Sequence, residues 1–527
     1  MDSNSLYRII VNCFWCELRC LGHWIGLLSL LVIWEIIGNL PVWAGETEIP
    51  ATVQHIVSLG DRSTGSPGAK RSADFIASEF KRIGLKDVGA HQFSLPMRMV
   101  SKSTIQLSDH KSPLSIDPMM LNAVSPGTIP EPGIQAPLIY VGRGELSEFN
   151  GKAIKDAVVL MELTSGRNWI NAASLGAKAL IYVDRGPTAN IFYKDKFELT
   201  PVDFPRLRLS IETARRYFGD FESRPDGVVS PWIRLQSDIH WQKVQSENIY
   251  GLIQGSDPDL EKNFILVEAF YDSGGVIPGK NKGADEAIGI ATLLEVARYL
   301  KHHPPPRSVI LVATSGHGQT LTGMREMIWS ISSKSKELRS DEKRLKKVIR
   351  DNNAQLKLLE TAFNSPGNDH NLDVRLLKTA MTDSIKNEVD RISHQLMQLR
   401  MDRRQQSDPE KTQNLTRQRL RLRRLDWKED FSFLTKDETL LLINLIPNAR
   451  KRLFAQAQDA ERQLAFLKST RAFRRLIKSG ELDLVVSLHL SSHGDGIGAF
   501  NRGFLHPLKS TINRVPAYSF LDKVLHQ

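Results

Sequence analysis

The chain has 527 residues, which is long enough for two to four domains. Hydrophobic residues make up 41% of it and charged residues 24%, proportions that are ordinary for a globular protein and that exclude a mainly disordered one. The net charge of +11 is unusual, and the location of these charges is more informative than their number.

The amino-terminal segment has the features of an export signal. An apolar run from Trp24 to Trp34 follows Arg8 and Arg19 and precedes a plausible cleavage site at residues 42–44. Glu35 interrupts the run before it could comfortably span a bilayer. We therefore expect an exported protein, periplasmic or extracellular, with an uncleaved membrane anchor as the alternative.

All three cysteines lie in this segment, at Cys13, Cys16 and Cys20. A Cys-x-x-Cys pair is found in zinc and redox sites, but no second pair is present to complete one. We therefore interpret these cysteines as incidental, and expect a mature chain without disulfides.

Two helices joined by a turn are predicted at the start of the mature chain. Val53, Ile56 and Val57 mark the first helix, and the turn Arg62-Ser63-Thr64-Gly65-Ser66-Pro67-Gly68 follows it. Ala73, Ile76 and Phe80 mark the apolar side of a second helix that ends at Gly84.

A strand, a loop, a helix and a second strand are predicted between residues 264 and 314. The first strand delivers Asp272 to its end, the glycine-rich loop contains Asp285, and His317 follows the second strand. This is a βαβ unit, in which the carboxyl ends of parallel strands share one edge of the sheet. Asp272, Asp285 and His317 are therefore expected at the same edge.

These motifs resemble the co-catalytic zinc aminopeptidase family, which also includes glutamate carboxypeptidase and the non-enzymatic transferrin receptor. The family has His-Tyr-Asp-Ser after the first strand, Gly-Ala-Asp-Asp-Asn-Ala in the loop, and Gly-Glu-Glu with Gly-Leu-Leu-Gly after the second strand. The corresponding segments here are Phe270-Tyr271-Asp272-Ser273, Gly283-Ala284-Asp285-Glu286, and Gly316-His317-Gly318-Gln319-Thr320-Leu321-Thr322-Gly323. The turn at 62–68 also resembles the family's Arg-x-x-Gly-Ser-Pro-Gly.

The resemblance implies a three-layer α/β fold and a two-zinc peptidase site, but the ligand positions differ from the family pattern. Asp272 is kept, as is Asp285, which would bridge the two metals. Phe270 replaces a histidine ligand, and Gly318 replaces a glutamate ligand. His317 stands where the family has its general-base glutamate. Since a metal pair needs ligands on both ions and a base beside the bridging water, we expect ordinary hydrolysis to be lost.

Residues 119–239 have short strands, prolines and glycine-rich turns in the order seen in protease-associated domains, which this family often inserts at this point. Residues 330–480 differ again, because they have helical apolar spacing. Ile385, Val389, Ile392, Leu396 and Leu399 form a short heptad seam typical of a coiled-coil hairpin or a helical bundle. The predicted domains are 1–44 (signal peptide or anchor), 45–118 and 240–329 (peptidase-like), 119–239 (protease-associated-like), 330–480 (basic helical insertion) and 481–527 (peptidase-like, resumed).

The densest basic patch lies in the helical insertion. It comprises Arg417, Arg419, Arg421, Arg423 and Arg424, interleaved with leucines. A solvated helix face is one interpretation, and contact with an anionic membrane surface or an acidic partner protein is the other. Nucleic acid is not expected as a partner, because no DNA- or RNA-binding motif accompanies the arginines.

The sheet is predicted to resume at Leu482, where the family has a strand that ends in Asn-Leu-Asp with a ligand aspartate. Ser491 takes the place of that aspartate. A rebuilt single-metal site could instead use His489, His493 and Asp495 together with Asp272 and Asp285. The family's last histidine ligand has no clear counterpart, so we expect this lobe to be truncated at its carboxyl end or the chain to be a fragment.

Three functions follow from these observations. The first is a non-catalytic protein that binds a peptide or protein in the former active-site cleft. The second is an active metallo-aminopeptidase or amidohydrolase with a rearranged metal site. The third is an envelope-attached scaffold for the basic helical insertion. No cofactor is expected for the first or third, and zinc is expected for the second.

Overall fold

The structure of the chain is a computed structural model, and it describes residues 48–108, 112–122, 124–125, 127–186, 191–361, 373–401 and 409–491. The contacts within the chain define two units. The first consists of the residues before Ser332 and after Ala472, and the second of residues 332–472. None of the described helices is both long enough and apolar enough to cross a membrane. The predicted export segment, 1–44, lies outside the described residues.

The first unit is an α/β structure. Its helices are α1 (Ile49–Ser58), α2 (Pro67–Ile83), α3 (Trp169–Ser174), α4 (Ile191–Lys194), α5 (Ile211–Phe218), α6 (Ala287–His302) and α7 (Thr322–Ser332). Its strands are β1 (Lys86–Leu107), β2 (Leu114–Ser115), β3 (Asp117–Pro118), β4 (Ile129–Tyr140), β5 (Val158–Glu162), β6 (Ala179–Asp184), β7 (Arg206–Ser210), β8 (Val228–Ile253), β9 (Asn263–Phe270), β10 (Ser308–Thr314) and β11 (Glu481–Ser487).

These strands form one mixed sheet within the described residues. Its path is β11-β9-β10-β8-β4-β5-β6-β7-β3, while β1 pairs with β8 and with β2. Strands β9 and β10 are parallel and α6 connects them, so the predicted βαβ unit is confirmed. Strand β11 is parallel to β9 on its other side. The predicted α/β fold class, with a large mixed sheet, is therefore confirmed.

Helix α2 shows how the predicted turn determines the local structure. The Ser66 hydroxyl accepts a hydrogen bond from the Ala69 amide, and Pro67 occupies the first helical position, where a missing N–H costs nothing. Gly84 ends the helix with φ at 88°, a left-handed conformation that glycine adopts without strain. Between these ends, Ile76 and Phe80 are fully buried against the sheet core.

Strands β1 and β8 form a long antiparallel ribbon that continues into the β-rich part of the first unit. There β4, β5, β6 and β7 surround a core of its own, with Leu138, Leu160 and Ile181 fully buried. The assignment of residues 119–239 to a protease-associated domain stays a prediction.

The second unit is helical in its described part. Its helices are α8 (Ser335–Thr361), α9 (Val374–Met401), α10 (Pro409–Trp427) and α11 (Lys436–Ile477), and the end of α11 from Phe473 onward belongs to the first unit. Ile385, Ile392 and Leu396 of the predicted seam are buried in its core. Residues 332–472 carry 30 lysines and arginines against 20 aspartates and glutamates, so ten of the eleven net positive charges belong to this unit.

A buried histidine in the first unit predicts acid sensitivity. His91 is 1% exposed, its ring lies 5.6 Å from that of Phe473, and burial lowers its pKa from 6.5 to about 4. Between these two values the unfolded chain binds the proton that the folded chain excludes, so stability is full above pH 6.5 and falls as the pH drops toward 4. We expect a loss of up to about 3 kcal/mol across this window in the free energy of unfolding, measured by urea titration at each pH.

The His91→Gln variant should reduce this pH dependence, whereas His240→Gln, which alters an exposed histidine, should leave it unchanged. If the free energy of unfolding depended on pH equally in the His91→Gln variant and the parent protein, His91 would not be the cause of the acid sensitivity.

Candidate active site

Three neighbouring parallel strands end at one edge of the sheet and bring the predicted site residues there. The register pairs Phe270 with Thr314 across β9 and β10, and Ser487 with Glu268 across β11 and β9. The residues that follow each strand therefore lie side by side, as expected for carboxyl strand ends.

Asp272 lies at the end of β9 and is almost completely buried, with 1% of its surface exposed. Its Oδ2 accepts hydrogen bonds from the Thr64 hydroxyl at 2.5 Å, the Gly316 amide at 2.6 Å and the Ser315 hydroxyl at 3.1 Å. Burial raises the pKa of this carboxyl, although these donors oppose the rise. The acceptor capacity of Oδ2 is thus used within the protein, while Oδ1 has a long contact of 3.5 Å with the His317 amide.

Arg62 lies beneath the same edge with no exposed surface, and its guanidinium binds backbone carbonyls from two loops. It donates to Tyr271 at 2.5 Å, to Lys282 at 2.9 Å, and also to Gly283. Burial lowers its pKa to about 10, while the nearby carboxylates Glu286 and Asp272 raise it. Arg62 therefore holds the segment after β9 against the loop that carries Asp285.

The sequence pattern predicts a turn that contains Arg62 and Thr64, but it does not indicate that these two side chains position the site. The available signal was the position of both residues within the family-like motif at 62–68. Their partners are more than 200 residues away along the chain, so that motif does not name them.

An aromatic cluster occupies the space beside Asp272. The rings of Phe270 and His317 are stacked, with centroids 3.8 Å apart and planes 13° apart. The His489 ring packs edge-on against both, at 5.2 Å from Phe270 and 4.9 Å from His317. Burial, assisted by repulsion from His489, lowers the pKa of His317 to about 4, so this imidazole is neutral at pH 7.

A second buried carboxyl group lies on β9, two residues before Phe270. Glu268 is 2% exposed and accepts hydrogen bonds from the Ser487 hydroxyl at 2.5 Å and from the Thr314 hydroxyl. Burial raises its pKa. This residue was also missed, although a single carboxylate in the otherwise apolar run 264–270 is a signal that the sequence contains.

Asp285 and Ser491 are brought together, although 206 residues separate them. The Ser491 hydroxyl lies 3.1 and 3.2 Å from the two carboxylate oxygens of Asp285, to which it donates. Asp285 is partly buried and Ser491 is exposed, so this pair forms the solvent-facing side of the site.

The loop after β10 is held in an unusual backbone conformation. Thr320 and Leu321 both have positive φ, at 55° and 56°, which non-glycine residues adopt only at a cost. The Asn248 side chain fixes both ends of the loop, because it accepts from the Ser315 amide at 3.1 Å and donates to the Gly323 carbonyl at 2.8 Å. The backbone around His317 and Gly318 is thereby held in place.

Two members of the predicted rebuilt metal site, His493 and Asp495, lie outside the described residues. Among the residues that are described, no three histidine, cysteine, aspartate or glutamate side chains are grouped so that they could hold a metal ion. Metal binding by Asp272, Asp285 and His489 stays a prediction.

The predicted basic patch lies on α10 of the second unit. Arg417, Arg421, Arg423 and Arg424 are exposed, while Arg419 is partly buried. Arg421 forms an ion pair with Asp437 at 3.0 Å. Binding of an anionic surface by these residues stays a prediction.

Comparison with known proteins finds a family match over part of the chain. Residues 248–403 match the model for peptidase family M28. Aminopeptidase YwaD of Bacillus subtilis is 27% identical over 308 residues, which cover 55% of this chain and 60% of the relative. A probable zinc metalloprotease of Leptosphaeria maculans is 29% identical over 129 residues, covering 23% of this chain and 29% of the relative.

Solved structures give similar partial matches. The zinc aminopeptidase BSAP from Bacillus subtilis has a TM-score of 0.39 at 22% identity, covering 55% of this chain and 66% of that chain. A peptidase M28 precursor from Shewanella amazonensis has a TM-score of 0.38 at 17% identity, covering 53% and 66%. The chain spans about 60% of the length of aminopeptidase YwaD. The motifs that contain Asp272, Asp285 and His317 all lie within residues 248–403, so this segment of the chain is similar to peptidase family M28 at the predicted site.

Proposed function

We propose that this chain is an exported member of the M28 family that has lost hydrolytic activity and binds a peptide or protein segment at the carboxyl edge of β9, β10 and β11. The observation that carries the proposal is the stacking of Phe270 on His317 at 3.8 Å. These are the positions at which the family pattern has a metal ligand and the general base.

The side chains present do not fit a pair of zinc ions. Phe270 has no lone pair to donate, and Gly318 has no side chain. The Oδ2 atom of Asp272 already accepts three hydrogen bonds, and Asp285 faces a hydroxyl at Ser491 in place of a second carboxylate. These side chains therefore do not support hydrolysis by a two-zinc mechanism.

The exposed rim of the site favours recognition of a peptide. His489 and Ser491 are exposed, and the Leu321 side chain in the adjoining loop is 43% exposed. The Asp285 carboxylate suits the positively charged amine of a peptide. The neutral His317 imidazole suits a hydrogen-bonding group of the peptide, and the Leu321 side chain suits an apolar side chain.

Metal content, hydrolysis and peptide binding together test this proposal. We expect the purified full chain to contain less than about 0.1 zinc per chain and to leave aminoacyl anilides uncleaved. It should still bind peptides with free amino termini, measured by fluorescence anisotropy. His489→Ala should weaken that binding about tenfold, whereas His303→Ala, at the opposite end of α6, should not change it.

One or two zinc ions per chain, lost together with hydrolysis in Asp285→Ala, would refute the proposal and favour the alternative of an active metallo-aminopeptidase. Equal peptide affinity of the His489→Ala and His303→Ala variants would place the ligand elsewhere.

A further inference from the structure

A cationic cluster is buried in the β-rich part of the first unit. Its residues do not belong to the motifs of the candidate active site. It consists of Trp169, Tyr182, Lys196 and Arg206, and none of these residues is more than 5% exposed. The Arg206 guanidinium lies 4.3 Å from the centre of the Trp169 ring, and the Lys196 ammonium lies 5.3 Å from that of Tyr182. The charge of Arg206 also acts on the Tyr182 hydroxyl, so the four side chains form one group.

The two cations of this cluster have only neutral hydrogen-bond acceptors among the described residues. Lys196 Nζ donates to the Phe192 carbonyl at 2.9 Å. Arg206 donates to the Lys196 carbonyl at 2.7 Å and to the Leu121 carbonyl at 3.3 Å.

The nearby carboxylates do not provide the missing counter-charge. Glu198 is paired with Arg167 and acts on Arg206 only through its charge, and Asp195 is exposed and acts on Lys196 only through its charge. Burying charge without a bonded counter-ion is costly, so two cations in one buried cluster favour a further anion beside them.

Two uncharged donors of the same cluster also lack an acceptor. The Trp169 Nε1–H and the Tyr182 O–H are buried and have no acceptor within the described part of the chain, because the Arg206 guanidinium that acts on the Tyr182 hydroxyl is itself a donor. Leaving a buried donor unpaired costs about 1–3 kcal/mol, and native proteins seldom leave two such donors in one cluster. The indole N–H, the phenol O–H, the ammonium and the guanidinium all donate hydrogen bonds. A ligand that only accepts hydrogen bonds therefore suits this cluster best.

We propose that the cationic cluster binds a small monovalent anion of the size and charge of chloride, which accepts hydrogen bonds from Trp169 and Tyr182 and offsets the charges of Lys196 and Arg206. A water molecule suits this cluster less well, because it would bring two hydrogens of its own to a place that already has an excess of donors. The anion stabilises the folded first unit, because the unfolded chain does not assemble these four groups.

Thermal unfolding of the full chain tests this inference with chloride as the probe. Chloride is varied from roughly 0.01 to 0.3 M, and gluconate, which is too large for the cluster, keeps the ionic strength constant. The melting temperature of the first unit should rise with chloride along a saturating curve, as expected for a ligand of the folded state.

Two tyrosine variants distinguish a bound anion from ordered water and from a general effect of salt. Tyr182→Phe should lower the melting temperature in chloride and remove its dependence on chloride. Tyr140→Phe is the matched control, since the Tyr140 hydroxyl already donates to Glu162 at 2.8 Å. That variant should lose stability and keep the full response to chloride.

Three results would overturn the proposal. A parent protein whose melting temperature does not respond to chloride would show that no anion binds. A Tyr182→Phe variant as stable as the parent would show that nothing accepts from this hydroxyl. A Tyr182→Phe variant that is less stable but keeps the chloride response would point to ordered water at Tyr182.

Discussion

Replacing Arg62 with methionine is expected to lower the free energy of unfolding of the first unit by roughly 3–5 kcal/mol. The variant loses the donors to the carbonyls of Tyr271, Lys282 and Gly283, and the buried Tyr271 carbonyl is left without this donor. Chemical denaturation, followed by the transition of the first unit, measures the loss.

Arg71→Met is the matched control for this variant. Arg71 also donates to a backbone carbonyl, that of Leu59, at 2.5 Å, but it does so from an exposed position. Its replacement should cost less than about 1 kcal/mol. A loss of similar size in both variants would show that Arg62 contributes no more than an exposed arginine.

On the proposed function, replacing four residues by the side chains of the family pattern is expected to create a zinc site. The variant combines Phe270→His, His317→Glu, Gly318→Glu and Ser491→Asp, with Asp272 and Asp285 unchanged. We expect zinc content, measured by mass spectrometry, to rise from a trace to about one ion per chain, because a new carboxylate at position 491 would lie next to Asp285.

The backbone can accept these changes. A Cβ atom at Gly318 would meet no atom closer than the Gly274 Cα at 3.4 Å, an ordinary contact, and Gly318 does not have positive φ. Without metal the added carboxylates repel Asp285, so the variant should melt below the parent protein and recover when zinc is added.

The control for the restored site carries the same four changes together with Asp285→Asn. It should bind little zinc, because the Asp285 carboxylate next to position 491 is missing. A folded four-residue variant that also fails to bind zinc would show that these positions do not converge around Asp285.

The order of local elements could be predicted from the sequence because each depends on neighbouring residues. The turn at 62–68 and Gly84 set the two ends of α2, and alternating and continuous apolar runs marked β9 and β10. The parallel pairing of these strands follows from the helix between them. The same reasoning placed Asp272, Asp285 and His317 at one edge of the sheet.

The sequence by itself therefore determined the α/β class, the resemblance to the peptidase family and the order of the three motifs along the chain. Only the tertiary structure decided what the site residues contact: Phe270 stacks on His317, Ser491 pairs with Asp285, and Thr64 and Arg62 hold the segment at Asp272. Most of these partners lie about 200 residues apart, and local propensity and spacing carry no information about which distant side chains meet. That information arises only when the sheet aligns its strand ends.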